Sequence, residues 1–214
     1  MSHQVSTALI LAGGRSRRMG QDKRFLLHEG IPLIWRVAEA ARELTGDVRI
    51  LLSDDDPRVS AQNSLTIVDR FPGEGPLSAL AGALDQARGP YALVLAADYP
   101  MLDGKFLRKF KEALDSAAGV PDVVVPVADG IMQVTCAFYR VALAGELASA
   151  RESGERSLRR WTERRLSGVE RIDQDKWRDW SNPDALFNVN TPGEYEQLEG
   201  SGFRGQGSGR DPAR

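Results

Sequence analysis

The sequence predicts an α/β fold, with a mostly parallel central sheet between two helical layers in a Rossmann-like arrangement. Three observations lead there. Short apolar runs with the character of buried strands recur at Ala8–Ala12, Val48–Leu52 and Tyr91–Ala97, and each is stopped by glycine, aspartate or proline. Between the first two runs, Leu33, Ile34, Val37, Ala40, Ala41 and Leu44 recur at helical spacing. Strand, helix and strand in that rhythm make a right-handed crossover, the start of a parallel sheet. A chain of 214 residues holds one ample core, here read as one domain over residues 1–198. From Glu199 onward Gly, Ser, Arg and Gln dominate without apolar periodicity, and residues 199–214 are expected to form a disordered tail.

Composition narrows the function classes. With 28 basic and 30 acidic side chains there is no positive excess to attract a polyanion, so nucleic acid is not the expected partner. The single cysteine, Cys136, excludes an internal disulfide and a multi-cysteine metal site. No apolar run approaches the roughly 20 residues of a membrane span, and the opening Met1-Ser2-His3-Gln4 lacks the regions of a signal peptide. A soluble, cytoplasmic protein with no membrane partner is expected.

The elements follow in order. The strand Ala8–Ala12 ends at Gly13-Gly14, where two missing Cβ atoms let peptide N–H groups turn inward around an anion. Arg15, Arg17, Arg18 and Lys23 follow, cations suited to a phosphate or to a solvated loop. Gly20 precedes Gln21 rather than Lys, and the glycine spacing fits neither a P-loop nor a dinucleotide fingerprint. Ile31-Pro32 is expected to open a helix ending near Gly46. The strand Val48–Leu52 runs into the turn Ser53–Pro57, and the strand Leu65–Val68 ends at Asp69. That carboxylate either caps the following loop or accepts hydrogen bonds from paired N–H donors of a ligand. Gly75-Pro76 opens a helix carrying Leu77, Leu80, Ala81 and Leu84.

Tyr91–Ala97, the most apolar strand, ends at Asp98, at the carboxyl edge where open α/β sheets bind ligands. Mg²⁺ uses one or two carboxylates with waters and substrate phosphates, so Asp98 suffices to hold it; the alternative is a cap on the turn before a helix over Gly104–Ala118. Val123–Val127 reads as a strand, and Gln133–Tyr139 as an antiparallel one that crosses or borders the sheet. Cys136 is expected in the core. Helices over Ala142–Arg151 and Leu158–Arg165 flank Glu152–Ser157, with Arg159, Arg160, Arg164 and Arg165 forming a solvated face. In Phe187–Tyr195, Thr191 and Glu194 fit a capping box around Pro192. Asn188 and Asn190, at alternate positions of an extended segment, point to one side and offer amide groups to one ligand.

The stretch Leu11 to Lys23, Leu-Ala-Gly-Gly-Arg-Ser-Arg-Arg-Met-Gly-Gln-Asp-Lys, resembles the signature of the nucleotidylyltransferases. Its form with Arg18-Met19-Gly20 and Asp22-Lys23 is most similar to the molybdenum cofactor guanylyltransferases. The resemblance spans Leu9 to Leu198 and implies GMP transfer from GTP to the terminal phosphate of molybdopterin, with release of pyrophosphate. It implies that Leu11, Ala12, Gly13, Gly14 and Lys23 hold the nucleotide, that Asp69 reads guanine, and that Asp98 holds Mg²⁺. Lys23, Asp98 and Arg18 become the catalytic candidates, with Arg156, Asn188 and Asn190 at the acceptor. Transient contact with cofactor-biosynthesis or molybdoenzyme-chaperone proteins is implied as well. Two departures stand out. Val134 replaces a usual proline, and Ser53 followed by three aspartates replaces an asparagine of many relatives. Transfer from CTP or to another phosphate, and a non-catalytic nucleotide binder of the same fold, are the alternatives.

Overall fold

A computed structural model describes residues 3–13, 22–54, 56–60, 65–165 and 167–200. Among the described residues ten strands run in chain order: β1 (Val5–Leu11), β2 (Leu27–His28), β3 (Ile31–Pro32), β4 (Val48–Leu52), β5 (Leu65–Val68), β6 (Tyr91–Ala96), β7 (Val123–Ala128), β8 (Ile131–Met132), β9 (Cys136–Arg140) and β10 (Val169–Ile172). The helices are α1 (Leu33–Arg42), α2 (Pro57–Ser60), α3 (Pro76–Ala81), α4 (Gly104–Asp115), α5 (Ala144–Glu152), α6 (Leu158–Glu163), α7 (Gln174–Trp177) and α8 (Pro192–Gly200). The central sheet has the order β10-β7-β9-β6-β1-β4-β5, with β8 beside β7, while β2 and β3 pair separately.

The expected parallel sheet is present, and β9 runs antiparallel between β6 and β7. It crosses the sheet rather than bordering it. Strand alternation sends side chains to two cores. Ala8, Ile10, Ile50, Leu93 and Leu95 meet Ile34 and Val37 of α1 and Phe106 and Phe110 of α4 on one face. Leu9, Leu51 and Val94 meet Leu77 and Leu80 of α3, Leu147 of α5 and Trp161 of α6 on the other. Full burial of each such side chain contributes about 1.5–3 kcal/mol, so this sandwich is what holds the sheet.

Local differences from the sequence expectation have identifiable causes. Glu29 and Gly30 take positive φ, turning the chain so that Ile31–Pro32 pairs with Leu27–His28. The helix therefore starts one residue later, at Leu33. β10 and α7 were not anticipated, because Val169–Ile172 alternates weakly and Gln174–Trp177 is a single turn. The last helix reaches Gly200, so Glu199 and Gly200 of the expected tail are helical, and residues 201–214 lie outside the described residues.

Register positions the site. Leu11 pairs with Leu51 and with Ala96, and Leu52 pairs with Val68. The strands thus end level, and the residues just past them, Gly13, Ser53, Asp69 and Asp98, emerge together on the carboxyl edge of the sheet. A third apolar cluster of Leu26, Leu33, Val189 and Leu198 packs the segment after Lys23 against the segment before Asn190.

Candidate active site

The carboxyl edge carries a cleft of about 770 Å³, lined by Leu11, Ala12, Gly13, Lys23, Arg24, Ser53, Asp54, Asp69, Pro72, Gly73, Gly75, Pro76, Ala79, Ala96, Ala97, Asp98 and Thr135. Backbone bonds define its floor. Ala12 N donates to Leu51 O (2.9 Å), Asp69 N to Leu52 O (2.7 Å) and Ala97 N to Leu11 O (3.3 Å). Gly13 lies against Asp69: a Cβ added at Gly13 would sit 3.6 Å from Asp69 Oδ2. Gly73 and Gly75, at φ +82° and +92°, give the opposite wall a backbone path that side-chain-bearing residues rarely adopt.

Asp69 divides its two oxygens. Oδ1 accepts from Phe71 N at 2.8 Å, which fixes the loop, while Oδ2 faces Gly13 in the cleft. Burial pushes its carboxyl above the ordinary value, the Phe71 N–H opposing that shift. Hydrogen-bond donors on a ligand would therefore find a partly desolvated acceptor.

Across the cleft, Lys23 Nζ donates to Asp98 Oδ2 at 2.6 Å and to Asn190 Oδ1 at 3.3 Å. Three distant segments are joined there, and Val189 N donates to Asp98 O at 3.0 Å to hold the segment bearing Asn190 in place. Asp98 does not cap the next helix; Asp103 does, accepting from Phe106 N at 2.8 Å. Asp98 Oδ1 is buried and has no hydrogen-bond partner among the described residues. A buried carboxylate oxygen left without a donor is costly, and a hard divalent cation with oxygen ligands is the chemistry that satisfies it. Among the described residues there is no group of three or more His, Cys, Asp or Glu that could hold a metal, so a cation held at Asp98 would take its other ligands from phosphate or water. That suits Mg²⁺.

The level strand edge thus carries Gly13, a lysine–aspartate pair and a second buried aspartate around one cleft. The family model described as the MobA-like NTP transferase domain matches residues 8–169. The chain belongs to that family. Among curated relatives, a probable molybdenum cofactor guanylyltransferase of Synechococcus elongatus is 32% identical over 196 residues, covering 90% of this chain and 97% of that protein. The molybdenum cofactor guanylyltransferase of an Acidovorax species is 29% identical, covering 95% and 99%. Among solved structures, the molybdopterin-guanine dinucleotide biosynthesis protein A of Archaeoglobus fulgidus superposes with a TM-score of 0.76 at 25% identity, covering 91% of this chain and 97% of that one.

In this MobA-like NTP transferase, then, Leu11, Ala12, Gly13, Lys23, Asp69 and Asp98 line one cleft, and Asn190 joins them through Lys23. Gly14 and Arg18, with Arg15 and Arg17, lie outside the described residues. Asn188 turns to Gln133, donating from Nδ2 to Oε1 at 3.3 Å. Arg156 stands at the rim: its backbone oxygen is 3.4 Å from a Cβ placed on Gly75, while its guanidinium donates to Arg151 O at 2.7 Å and lies 3.5 Å from Glu74. Arg160 and Arg164 both pair with Glu155, and Arg165 pairs with Asp122 and Glu146, so these arginines of the basic stretch are neutralised locally. Cys136 is fully buried, and burial pushes its thiol far up. Several cleft residues were not read from the sequence as site residues, Arg24 and Thr135 among them. Arg24 adjoins Lys23, and its place beside the lysine was the available signal; Thr135 sits in a segment whose packing alone brings it to the cleft. No described helix is long and apolar enough to cross a membrane.

Proposed function

We propose that this chain transfers GMP from GTP to the terminal phosphate of molybdopterin, releasing pyrophosphate, as a Mg²⁺-dependent enzyme of the cytoplasm. The observation that carries the reading is the Lys23–Asp98–Asn190 constellation, with its lysine bonded to both partners in a cleft that also holds Gly13 and Asp69. The names of the relatives support the same chemistry.

In this reading the cleft positions two anions and stabilises charge; it needs no covalent intermediate. An oxygen of the acceptor phosphate attacks the α-phosphorus in line, a new P–O bond forms, and the bond to the β-phosphate oxygen breaks with its electron pair leaving on pyrophosphate. The attacking phosphate is already an anion at neutral pH, so no general base is assigned. Lys23 places a compact cation against the triphosphate, and Gly13 lets the chain approach it without a side chain. Gly14 and Arg18 of the same loop belong to this reading. Asp69 accepts from the paired N–H donors on guanine N1 and N2. Asn190 orients Lys23, and Asn188 and Arg156 serve the acceptor side. Asp98 would hold Mg²⁺, which supplies charge neutralisation to the triphosphate and to the departing pyrophosphate. Hand-over of the product to a cofactor-biosynthesis or molybdoenzyme-chaperone protein belongs to the same reading.

The test is pyrophosphate release by purified protein with Mg²⁺ and molybdopterin, supplied with GTP, CTP, ATP or UTP. Release with GTP alone is expected. Release with CTP alone would overturn Asp69 as a guanine reader, and silence with all four alongside tight nucleotide binding would overturn catalysis.

A further inference from the structure

Lys23 occupies a single 3₁₀ turn, Lys23–Phe25, and so short a helix has too few internal hydrogen bonds to hold itself. Its flanking residues do not face the solvent idly. Arg24 donates to Asp22 from Nε at 2.9 Å and from Nη2 at 2.7 Å, and the same Nη2 reaches Asp56 Oδ2 at 3.1 Å. Arg58 returns the contact, donating to Asp56 from Nε at 3.0 Å and Nη2 at 2.7 Å, and to Asp22 at 3.2 Å. Its guanidinium stacks 3.9 Å over the Phe25 ring. Two acids and two bases thus form a closed ionic square. Its inner pair is nearly dry: the side chains of Arg24 and Asp56 are 12% and 9% exposed, where charge-assisted bonds are strong and an orphaned partner is costly. The hydrogen bonds from Arg58 hold the Asp56 carboxyl below its ordinary value, so the square stays ionised at neutral pH.

What the square joins gives it a consequence. Asp56 lies two positions beyond Asp54, which with Ser53 lines the cleft just past β4, and Arg24 lines the cleft from the turn bearing Lys23. The tether therefore runs from the β4 loop to the turn bearing Lys23. A lysine is a flexible four-carbon stem, and misplacing a reacting or stabilising group by about 1 Å costs on the order of 10²-fold in rate.

We propose that Arg24 and Asp56 are positioning residues, whose ion pair within the Asp22–Arg24–Asp56–Arg58 square sets Lys23 against Asp98 and couples its placement to the β4 loop. The consequence for catalysis rests on the reading of Lys23 as a triphosphate ligand; the placement of Lys23 does not.

The experiment separates the two. The nucleotide-free full chain is acetylated with an N-hydroxysuccinimide ester, and each lysine is followed by mass spectrometry. Asp56→Asn is expected to speed acetylation of Lys23 by about threefold or more, an effect in the range of couplings between residues of one network, while Lys105, Lys109 and Lys176 keep their rates. Arg24→Lys, which keeps the charge but loses the planar fork, is expected to do the same, and Asp56→Glu to restore the slow rate. A merely structural role would move all lysines together. An unchanged Lys23 rate in both Asp56→Asn and Arg24→Lys, or equal acceleration at every lysine, overturns the proposal. Next, GTP affinity is measured for Asp56→Asn in the native and in the Lys23→Ala background. A loss of about tenfold in the first and less than about twofold in the second is expected. Equal losses in both backgrounds would show that Asp56 acts independently of Lys23 and would overturn the coupling. Absence of GTP binding by the native chain overturns the functional reading alone, the acetylation rates still deciding the positioning.

Discussion

Replacing Lys23 with alanine removes the cation that meets Asp98 Oδ2 at 2.6 Å, with the two side chains 22% and 11% exposed. At an effective dielectric of about 20 the gross attraction at that distance is roughly 6 kcal/mol, much of it cancelled by desolvation. Removing one partner of a fully buried pair costs about 3–5 kcal/mol and an exposed pair is worth about 0–1 kcal/mol; this partly exposed pair falls between, at about 1–2 kcal/mol of stability. For a chain of this size that is a fall of roughly 2–8 °C in Tm. For the proposed reaction the effect on turnover is larger, because there the cation would act where charge develops: losing one such stabiliser costs about 10²–10³-fold in kcat. The assay is pyrophosphate release with GTP, Mg²⁺ and molybdopterin, run beside a thermal melt in the same buffer. The expected variant is folded at the assay temperature and nearly inactive. A variant that turns over within about fivefold of the native rate refutes the role of Lys23; one already unfolded at that temperature refutes the estimate of the ion pair's contribution.

Three further outcomes are expected. In Gly13→Ala the new Cβ meets Asp69 Oδ2 and Ser53 N only at 3.6 Å, an ordinary contact, so stability changes by less than about 1 kcal/mol while the methyl group in the cleft weakens GTP affinity about tenfold; melting and GTP titration check both halves. Asp98→Asn keeps the shape but removes the charge from the orphaned oxygen, and the Mg²⁺ concentration giving half-maximal turnover rises by about tenfold or more; an unchanged Mg²⁺ dependence would remove Asp98 as the metal ligand. Glu155 accepts from Ser157 N, from Arg160 and from Arg156 N, and these bonds, the Ser157 N–H first, hold its carboxyl down at about 2. A depressed carboxyl contributes stability above its ordinary value of 4.5 that is lost as pH falls toward about 2. The Tm gap between the native chain and Glu155→Gln is therefore widest above about pH 5 and closes on acidification; a gap that does not depend on pH counts against the carboxylate.

Much of the fold was legible because its strands are continuous apolar runs. β1, β4, β5 and β6 were each readable to within about one to three residues, and the capping box at α8 formed as its residue types demand, with Glu194 Oε2 accepting from Thr191 N at 2.8 Å. β10 escaped because half of Val169–Ile172 is charged, and a solvent-facing edge strand has no apolar run to announce it. Pro32 was read as a helix opener because proline suits that position, and it is the N-cap of α1; the positive φ of Glu29 and Gly30 also pairs it with Leu27 in a hairpin, which no local pattern announced. In the candidate site, Gly13, Asp69 and Asp98 were legible as unusual residues at the ends of apolar runs, where a packed core has no need of them, and Lys23 as a cation after the glycine loop. Asn188 and Asn190, read as pointing to one side of an extended segment, have different partners, Gln133 and Lys23, since alternation along a segment sets direction and not distance.

The sequence by itself determined the layered α/β class, the order of the elements and which residues were available for chemistry, because periodicity and turn chemistry are local properties of the chain. Only the tertiary structure decided that Lys23, Asp98 and Asn190 meet, and that Asp56 is tied to Arg24 across 32 positions. Strand register and the small cluster of Leu26, Leu33, Val189 and Leu198 bring those segments together. Such contacts depend on how separate apolar faces pack, a free energy shared among distant residues that no local pattern in the chain encodes.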